Sequence, residues 1–118
     1  MTRVPSKKTA IVTGAARGIG KAIAIKLGAM KASVVVNYLQ NEKAAETTVA
    51  EVEKAGGRAI AIGADMGRVL EIERLFERTV DHFGGVDILV NNAGHRLFKP
   101  IAETTESEFD AIFATNVK

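Results

Sequence analysis

The sequence predicts an α/β fold, a doubly wound parallel sheet of four strands in the order 3-2-1-4. Three observations predict it. Short apolar runs alternate with amphipathic stretches along the chain. These runs are continuously apolar, as strands buried on both faces are. Short connections between unlike elements imply right-handed crossovers that lay helices over the sheet. The 118 residues, 47% apolar and 25% charged, amount to one soluble domain spanning residues 1–118.

Each element has its own justification. The strands are Thr9–Val12, Ser33–Val36, Ala59–Ile62 and Ile88–Val90. The first helix carries Ile19, Ile23, Leu27 and Met30 at a one-face spacing of about 3.6 residues. The second runs from Glu42 to Ala55 with Ala45, Val49 and Val52, and stops at Gly56-Gly57. The third carries Ile72, Leu75, Phe76, Val80 and Phe83, and stops at Gly84-Gly85. It lacks a polar N-cap, because Met66-Gly67-Arg68 precedes it. The fourth starts at Thr105 with Glu108 in capping-box position, and presents Phe109, Ile112, Phe113 and Asn116 on one face. After the first helix, Met30-Lys31-Ala32 offers no glycine for a left-handed turn residue, so that turn is expected to be strained or rearranged.

Composition narrows the function classes. There is no cysteine, hence no disulfide framework and no thiolate metal site. No run approaches the ~18 apolar residues of a membrane helix, and no apolar signal segment follows the N-terminal charges, so a cytoplasmic location is expected. The net charge is +2, but residues 1–41 hold all of Arg3, Lys7, Lys8, Arg17, Lys21, Lys26 and Lys31 and no acid. Those cations are spread singly and without interleaved aromatics, which argues against nucleic acid and for a small polyanion.

Such a ligand has an obvious place to bind. Thr13-Gly14-Ala15-Ala16-Arg17-Gly18-Ile19-Gly20 joins the first strand to the first helix. Gly14 permits a tight turn at positive φ. Gly18 and Gly20 permit a ligand and a neighbouring strand to come close to the helix. The helix start offers unpaired N–H groups to an anion. The bland alternative is an ordinary βα turn with three convenient glycines.

Further motifs occur in order: Ala64-Asp65-Met66 after the third strand, Asn91-Asn92-Ala93-Gly94 after the fourth, and Asn116-Val117 late in the fourth helix. With the Gly-x-x-x-Gly-x-Gly turn, they resemble the short-chain dehydrogenase/reductase family, of the kind that includes ketoacyl carrier-protein reductases. The resemblance covers essentially the whole chain. It implies a Rossmann-like domain truncated after the fourth strand and fourth helix, corresponding to the N-terminal half of such an enzyme. Gly14, Ala16, Arg17, Gly18, Ile19 and Gly20 would wrap the pyrophosphate. Asp65 would accept a hydrogen bond from adenine, with the main chain of Met66 beside it. Asn92, Ala93 and Gly94 would leave room for ribose and nicotinamide. Asn116 matches the asparagine of the family's catalytic set; the alternative is a polar residue near a helix end. Asn91 resembles a structural amide tying adjacent strands. His95 either lines a substrate mouth or sits on an exposed loop.

Two positions bear on the choice of dinucleotide. An NAD site usually places a carboxylate after the second strand, where this chain has Asn37 and Tyr38. Arg17 can pair with a 2′-phosphate, or is simply a surface arginine. Both signs favour NADP over NAD. The resemblance further implies a catalytic serine and a Tyr-x-x-x-Lys pair in motifs that would come after Lys118; within the 118 residues Tyr38 is the only tyrosine, and Glu42 stands four residues on. Taken alone, the chain is therefore expected to be inactive as an enzyme. It would be the cofactor-binding half of an NADP(H)-dependent carbonyl reductase or alcohol dehydrogenase. Alternatively it is a non-catalytic dinucleotide module or a partner subunit. The fourth strand would form an open edge, so a homo-oligomer or a complementing chain is expected.

Overall fold

A computed structural model describes residues 8–92 of the chain. The elements are β1 (Thr9–Val12), α1 (Gly18–Ala29), β2 (Ser33–Tyr38), α2 (Glu42–Lys54), β3 (Arg58–Gly63), α3 (Val69–Phe83) and β4 (Ile88–Val90). β1 and β4 have the predicted bounds; β2 and β3 extend slightly beyond theirs. The predicted fourth helix, with Asn116, lies outside the described residues, as do Ala93, Gly94 and His95.

All pairings are parallel and the order is β3-β2-β1-β4, as predicted. Ile11 stands between Val35 and Leu89, and Val35 in turn pairs with Ile60. Alternation along these strands divides the core into two. Val12, Val34, Val36, Ala59 and Val90 face Ala24 of α1 and Ala45, Val49 and Val52 of α2. Ile11, Val35, Ile62 and Leu89 face Leu75 of α3, with Phe76 and Phe83 packed alongside. Helices on both faces make the sheet doubly wound, and every strand ends at the same rim.

Two helices match their predicted faces only in part: Ile72 and Leu75 of α3 are buried with Phe76 and Phe83 packed alongside, and Ile23 and Leu27 of α1 pack against the core, but Ile19, Met30 and Val80 are exposed. In α1 the buried residues are Gly20, Ala24 and Gly28, while Ile23 and Leu27 are half-buried and Ile19 and Met30 are exposed. Close approach explains the difference. A Cβ at Gly28 would come 2.6 Å from Val52 Cγ1 and 3.0 Å from the Val52 carbonyl oxygen, so the α1–α2 contact admits only the smallest residues. In α3, Ile72, Leu75 and Thr79 are buried, and Val80 is 47% exposed. Thr79 tolerates burial because its hydroxyl donates to the Leu75 carbonyl at 2.7 Å. Among the described residues, no helix is long and apolar enough to cross a membrane.

The helix ends are settled by local hydrogen bonds. Asn41 caps α2, accepting from the Ala44 N–H at 3.0 Å. Arg68 gives α3 no side-chain cap, as predicted. Glu71 in the first turn ties the helix to the segment after β3, its carboxylate accepting from the Asp65 N–H at 2.7 Å. The Asp65 carboxylate in turn accepts from the Gly67 N–H at 2.8 Å.

Lys31 adopts φ 71°, so the expected strain is present. Its N–H donates to the Gly28 carbonyl at 2.8 Å, closing the turn into β2. Left-handed backbone costs a side-chain-bearing residue about 1–2 kcal/mol, offset in part by the extra freedom that glycine gives the unfolded chain. Lys31→Gly is therefore expected to raise stability by about 1 kcal/mol, or roughly 5 °C in Tm. Thermal denaturation of the two chains checks this; an unchanged midpoint would mean that the lysine stem along Gly56 offsets the strain.

Candidate functional site

The site is built where β1 ends. Thr13 is fully buried, and its N–H donates to the Val90 carbonyl at 2.9 Å. Its hydroxyl is shared between the Val90 carbonyl at 3.3 Å and Asn91 Oδ1 at 3.2 Å, and accepts from the Asn92 N–H at 2.7 Å. The ends of β1 and β4 are thus riveted together, and Asn91 is the structural tie that its motif implied.

Beyond Thr13 the chain turns at Gly14, φ 60°, and again at Gly18, φ 66°. Three side chains from three elements hold this turn. Asn37, at the end of β2, accepts from the Gly14 N–H at 3.3 Å, while its carbonyl accepts from the Ala15 N–H at 2.8 Å. Asn92 donates from Nδ2 to the Gly14 carbonyl at 3.2 Å. Thr48 of α2 donates to the Ala16 carbonyl at 3.1 Å. Gly20 lies directly against Gly14, because a Cβ on it would strike the Gly14 carbonyl oxygen and come 2.6 Å from Asn92 Nδ2.

The opposite side of the turn is open. A Cβ at Gly18 would meet nothing within 4 Å. No side chain caps the start of α1, and its first turn contains no acidic residue, unlike α2 with Glu42 and α3 with Glu71. Arg17 is the N-cap residue, in extended conformation and exposed, with no ion pair among the described residues. Uncapped N–H groups and the positive end of a helix dipole border this space, and the exposed Arg17 stands next to it in the chain. That is the donor set for an anion such as a pyrophosphate.

The other predicted residues fall along the same rim. Asp65 and Met66 follow β3 and are half-buried, Met66 packing on the core beneath α3. Asn92 follows β4. Asn37 is placed differently from a ligand-facing residue. It is 2% exposed, and its Nδ2 lies 3.2 Å from the Ile62 carbonyl and 3.3 Å from that of Ala64. Its amide is committed on both sides, clasping the turn to the end of β3. The next residue, Tyr38, is only half-buried; its ring covers Gly63, where a Cβ would come 3.0 Å from Cζ. Burial, and then the carboxylates of Glu42 and Glu46, push the Tyr38 phenol above its ordinary range.

Sequence reasoning missed Thr48 and the clasping role of Asn37. Thr48 had a signal: it is a hydroxyl on the apolar face formed by Ala45, Val49 and Val52, and a hydroxyl buried there needs a partner. At Asn37 the sequence carries no comparable sign, since an amide at a strand end suits a ligand as well as a neighbouring strand.

Comparison with known proteins supports the same reading. The family model described as short chain dehydrogenase matches residues 8–118. The hydroxynaphthalene reductase-like protein Arp2 of Metarhizium majus is 50% identical over 111 residues, covering 94% of this chain and 42% of that protein. The short chain dehydrogenase/reductase AacuN of Aspergillus aculeatus is also 50% identical, with the same coverage. The chain thus spans less than half the length of these curated relatives. A dehydrogenase/reductase from Sinorhizobium meliloti 1021 superposes with a TM-score of 0.72 at 46% identity, covering 91% of this chain and 42% of that one. A short chain dehydrogenase from Burkholderia cenocepacia J2315, solved in complex with NADP, gives a TM-score of 0.72 at 41% identity, over 94% and 45% of the two chains. The glycine turn, the sheet order and the match across residues 8–118 together make this chain a member of the short chain dehydrogenase family.

Proposed function

We propose that this chain supplies the NADP(H)-binding part of an oxidoreductase that reduces a carbonyl or oxidises an alcohol. The observation that carries the reading is the exposed Arg17 at the uncapped start of α1, in a turn without an acid. The turn from Gly14 to Gly20 receives the pyrophosphate, Ile19 standing exposed at its mouth. Arg17 pairs with the 2′-phosphate, a dianionic partner for its planar fork. At the end of β2 no carboxylate competes for the ribose, because Asn37 is neutral and already bonded. Asp65 retains a carboxylate oxygen for the adenine amine, its Oδ1 being held by the Gly67 N–H. Asn92 flanks the nicotinamide side, and Ala93 and Gly94, next in sequence, are small enough to leave room for ribose and nicotinamide.

Bound nicotinamide would supply or accept the hydride. The share of these residues is to bind and orient it, and the family's serine and Tyr-x-x-x-Lys set would complete the catalytic machinery together with Asn116. β4, one of the two edges of the described sheet, is where further strands or a second copy would join.

The test is Arg17→Ala, with NADPH and NADH titrated separately by nucleotide fluorescence. A charge-assisted contact is worth about 1.5–3 kcal/mol, so NADPH should bind roughly 10-fold to 100-fold more weakly. NADH should lose less than about threefold, since it offers that guanidinium no phosphate. Equal losses for the two would sink the assignment.

A further inference from the structure

We propose that Thr48 is a positioning residue of the dinucleotide site, holding the Ala16–Arg17 peptide in place from α2. The inference rests on the NADP(H) reading above for its ligand and on the following geometry for its mechanism.

Thr48 is fully buried on the apolar face of α2. A threonine in a helix ordinarily satisfies its hydroxyl on the carbonyl one turn back. Thr47 does so with Lys43 at 3.2 Å, and Thr79 with Leu75 at 2.7 Å. Thr48 has that option too, with Ala44 at 3.3 Å, yet its hydroxyl lies closer to the Ala16 carbonyl, at 3.1 Å. The bond spans 32 residues of sequence and joins α2 to the glycine turn.

Its consequence follows from peptide geometry. The C=O and N–H of a trans peptide point in opposite directions. Drawing the Ala16 carbonyl toward α2 therefore turns the Arg17 N–H away from α2, at the uncapped start of α1. Asn37 and Asn92 hold the first half of the turn, through Gly14 and Ala15. Among the described residues, Thr48 provides the side-chain bond that reaches the second half, where Arg17 begins.

The experiment compares the wild-type chain with Thr48→Val, which keeps the shape and removes the donor, and Thr48→Ser, which keeps the donor. NADPH affinity is read by titration at a temperature where all three are folded. Exchange of the Lys21 amide hydrogen, which is bonded to the Arg17 carbonyl, is read without ligand. Thr48→Val should weaken NADPH binding about fivefold, the worth of one neutral hydrogen bond. It should also speed exchange at Lys21, whose N–H is bonded to the Arg17 carbonyl, by roughly tenfold. Thr48→Ser should bring both back to within about twofold of wild type. If Thr48→Val lowers only the melting temperature, with affinity and exchange unchanged, Thr48 is a packing residue and the proposal is overturned. A wild-type chain that binds neither dinucleotide overturns the functional reading, and the role of Thr48 in it. Wild-type binding beside an unaffected Thr48→Val overturns the Thr48 assignment alone.

Discussion

Gly20→Ala is expected to lower Tm by roughly 10 °C, the equivalent of about 2 kcal/mol in a domain of this size, and to weaken dinucleotide binding more than about tenfold. The added methyl would overlap the Gly14 carbonyl oxygen and come within 2.6 Å of Asn92 Nδ2. Neither neighbour can retreat without cost. The Gly14 N–H is bonded to Asn37 and its carbonyl to Asn92, so moving that peptide breaks bonds to two elements at once. Overpacking against fixed backbone costs about 1–3 kcal/mol, more than the ~1 kcal/mol that alanine regains over glycine inside a helix. Gly18→Ala is the control. Its methyl meets nothing within 4 Å, and only the left-handed backbone at φ 66° resists it, at about 1–2 kcal/mol. Urea or thermal denaturation without ligand, followed by NADPH titration, measures both effects for each variant. A Gly20→Ala chain that melts with the wild type would show that the turn can yield, contrary to its three-sided anchorage.

What the sequence disclosed, and what it withheld, follows from which forces leave a mark on residue type. The strands were legible because burial on both faces demands apolar runs, and Ile11-Val12, Val34-Val35-Val36 and Leu89-Val90 supply both halves of the core. The turn was legible because its backbone angles at Gly14 and Gly18 exclude most side chains. The buried face of α1 was not. Gly20, Ala24 and Gly28 carry almost no hydropathy, and what they encode is distance: α1 lies so close to Gly14 and Val52 that larger residues are excluded. A periodicity argument weighted by hydropathy selects Ile19 and Met30 instead, and these are exposed. In α3 it selects Val80, one position beyond the threonine whose own hydrogen bond lets it take the buried place.

The polar residues at the rim show the same limit in another form. Arg17 and Asp65 were assigned to the site by motif; the fold puts Arg17, exposed, at the start of α1 and Asp65, half-buried, just after β3 on the same rim. Thr48 was passed over because a single hydroxyl in an apolar stripe reads as a minor irregularity. Only the fold shows that this hydroxyl reaches a carbonyl 32 residues away. Side-chain ties between elements distant in sequence have no local periodicity, so spacing cannot reveal them.

Asn37 carries the second large effect. Asn37→Asp is expected to destabilise the chain by about 3 kcal/mol at pH 7, since a buried charge without a partner costs on that order. The amide donates toward the Ile62 and Ala64 carbonyls at 3.2 and 3.3 Å, and the side chain is 2% exposed. A carboxylate has no donor, so one of its oxygens would face those two carbonyls across a dry gap; the Gly14 N–H would still bond the other. Burial and the facing carbonyl oxygens both disfavour the ionised form, so the folded-state pKa of the new carboxyl lies above the unfolded value of about 3.9. The sign follows by linkage. The protonated acid can donate to a carbonyl, so the mutant holds its stability below that unfolded value and loses it as pH rises through the folded pKa. The gap in urea midpoint between mutant and wild type should therefore widen from pH 4 to pH 7. A ligand-facing Asn37 predicts something else: an aspartate there would leave stability unchanged at every pH and tighten NADH binding by reaching the ribose hydroxyl. Equal midpoints at pH 7 with improved NADH affinity would move this side chain from beneath the turn to the ligand.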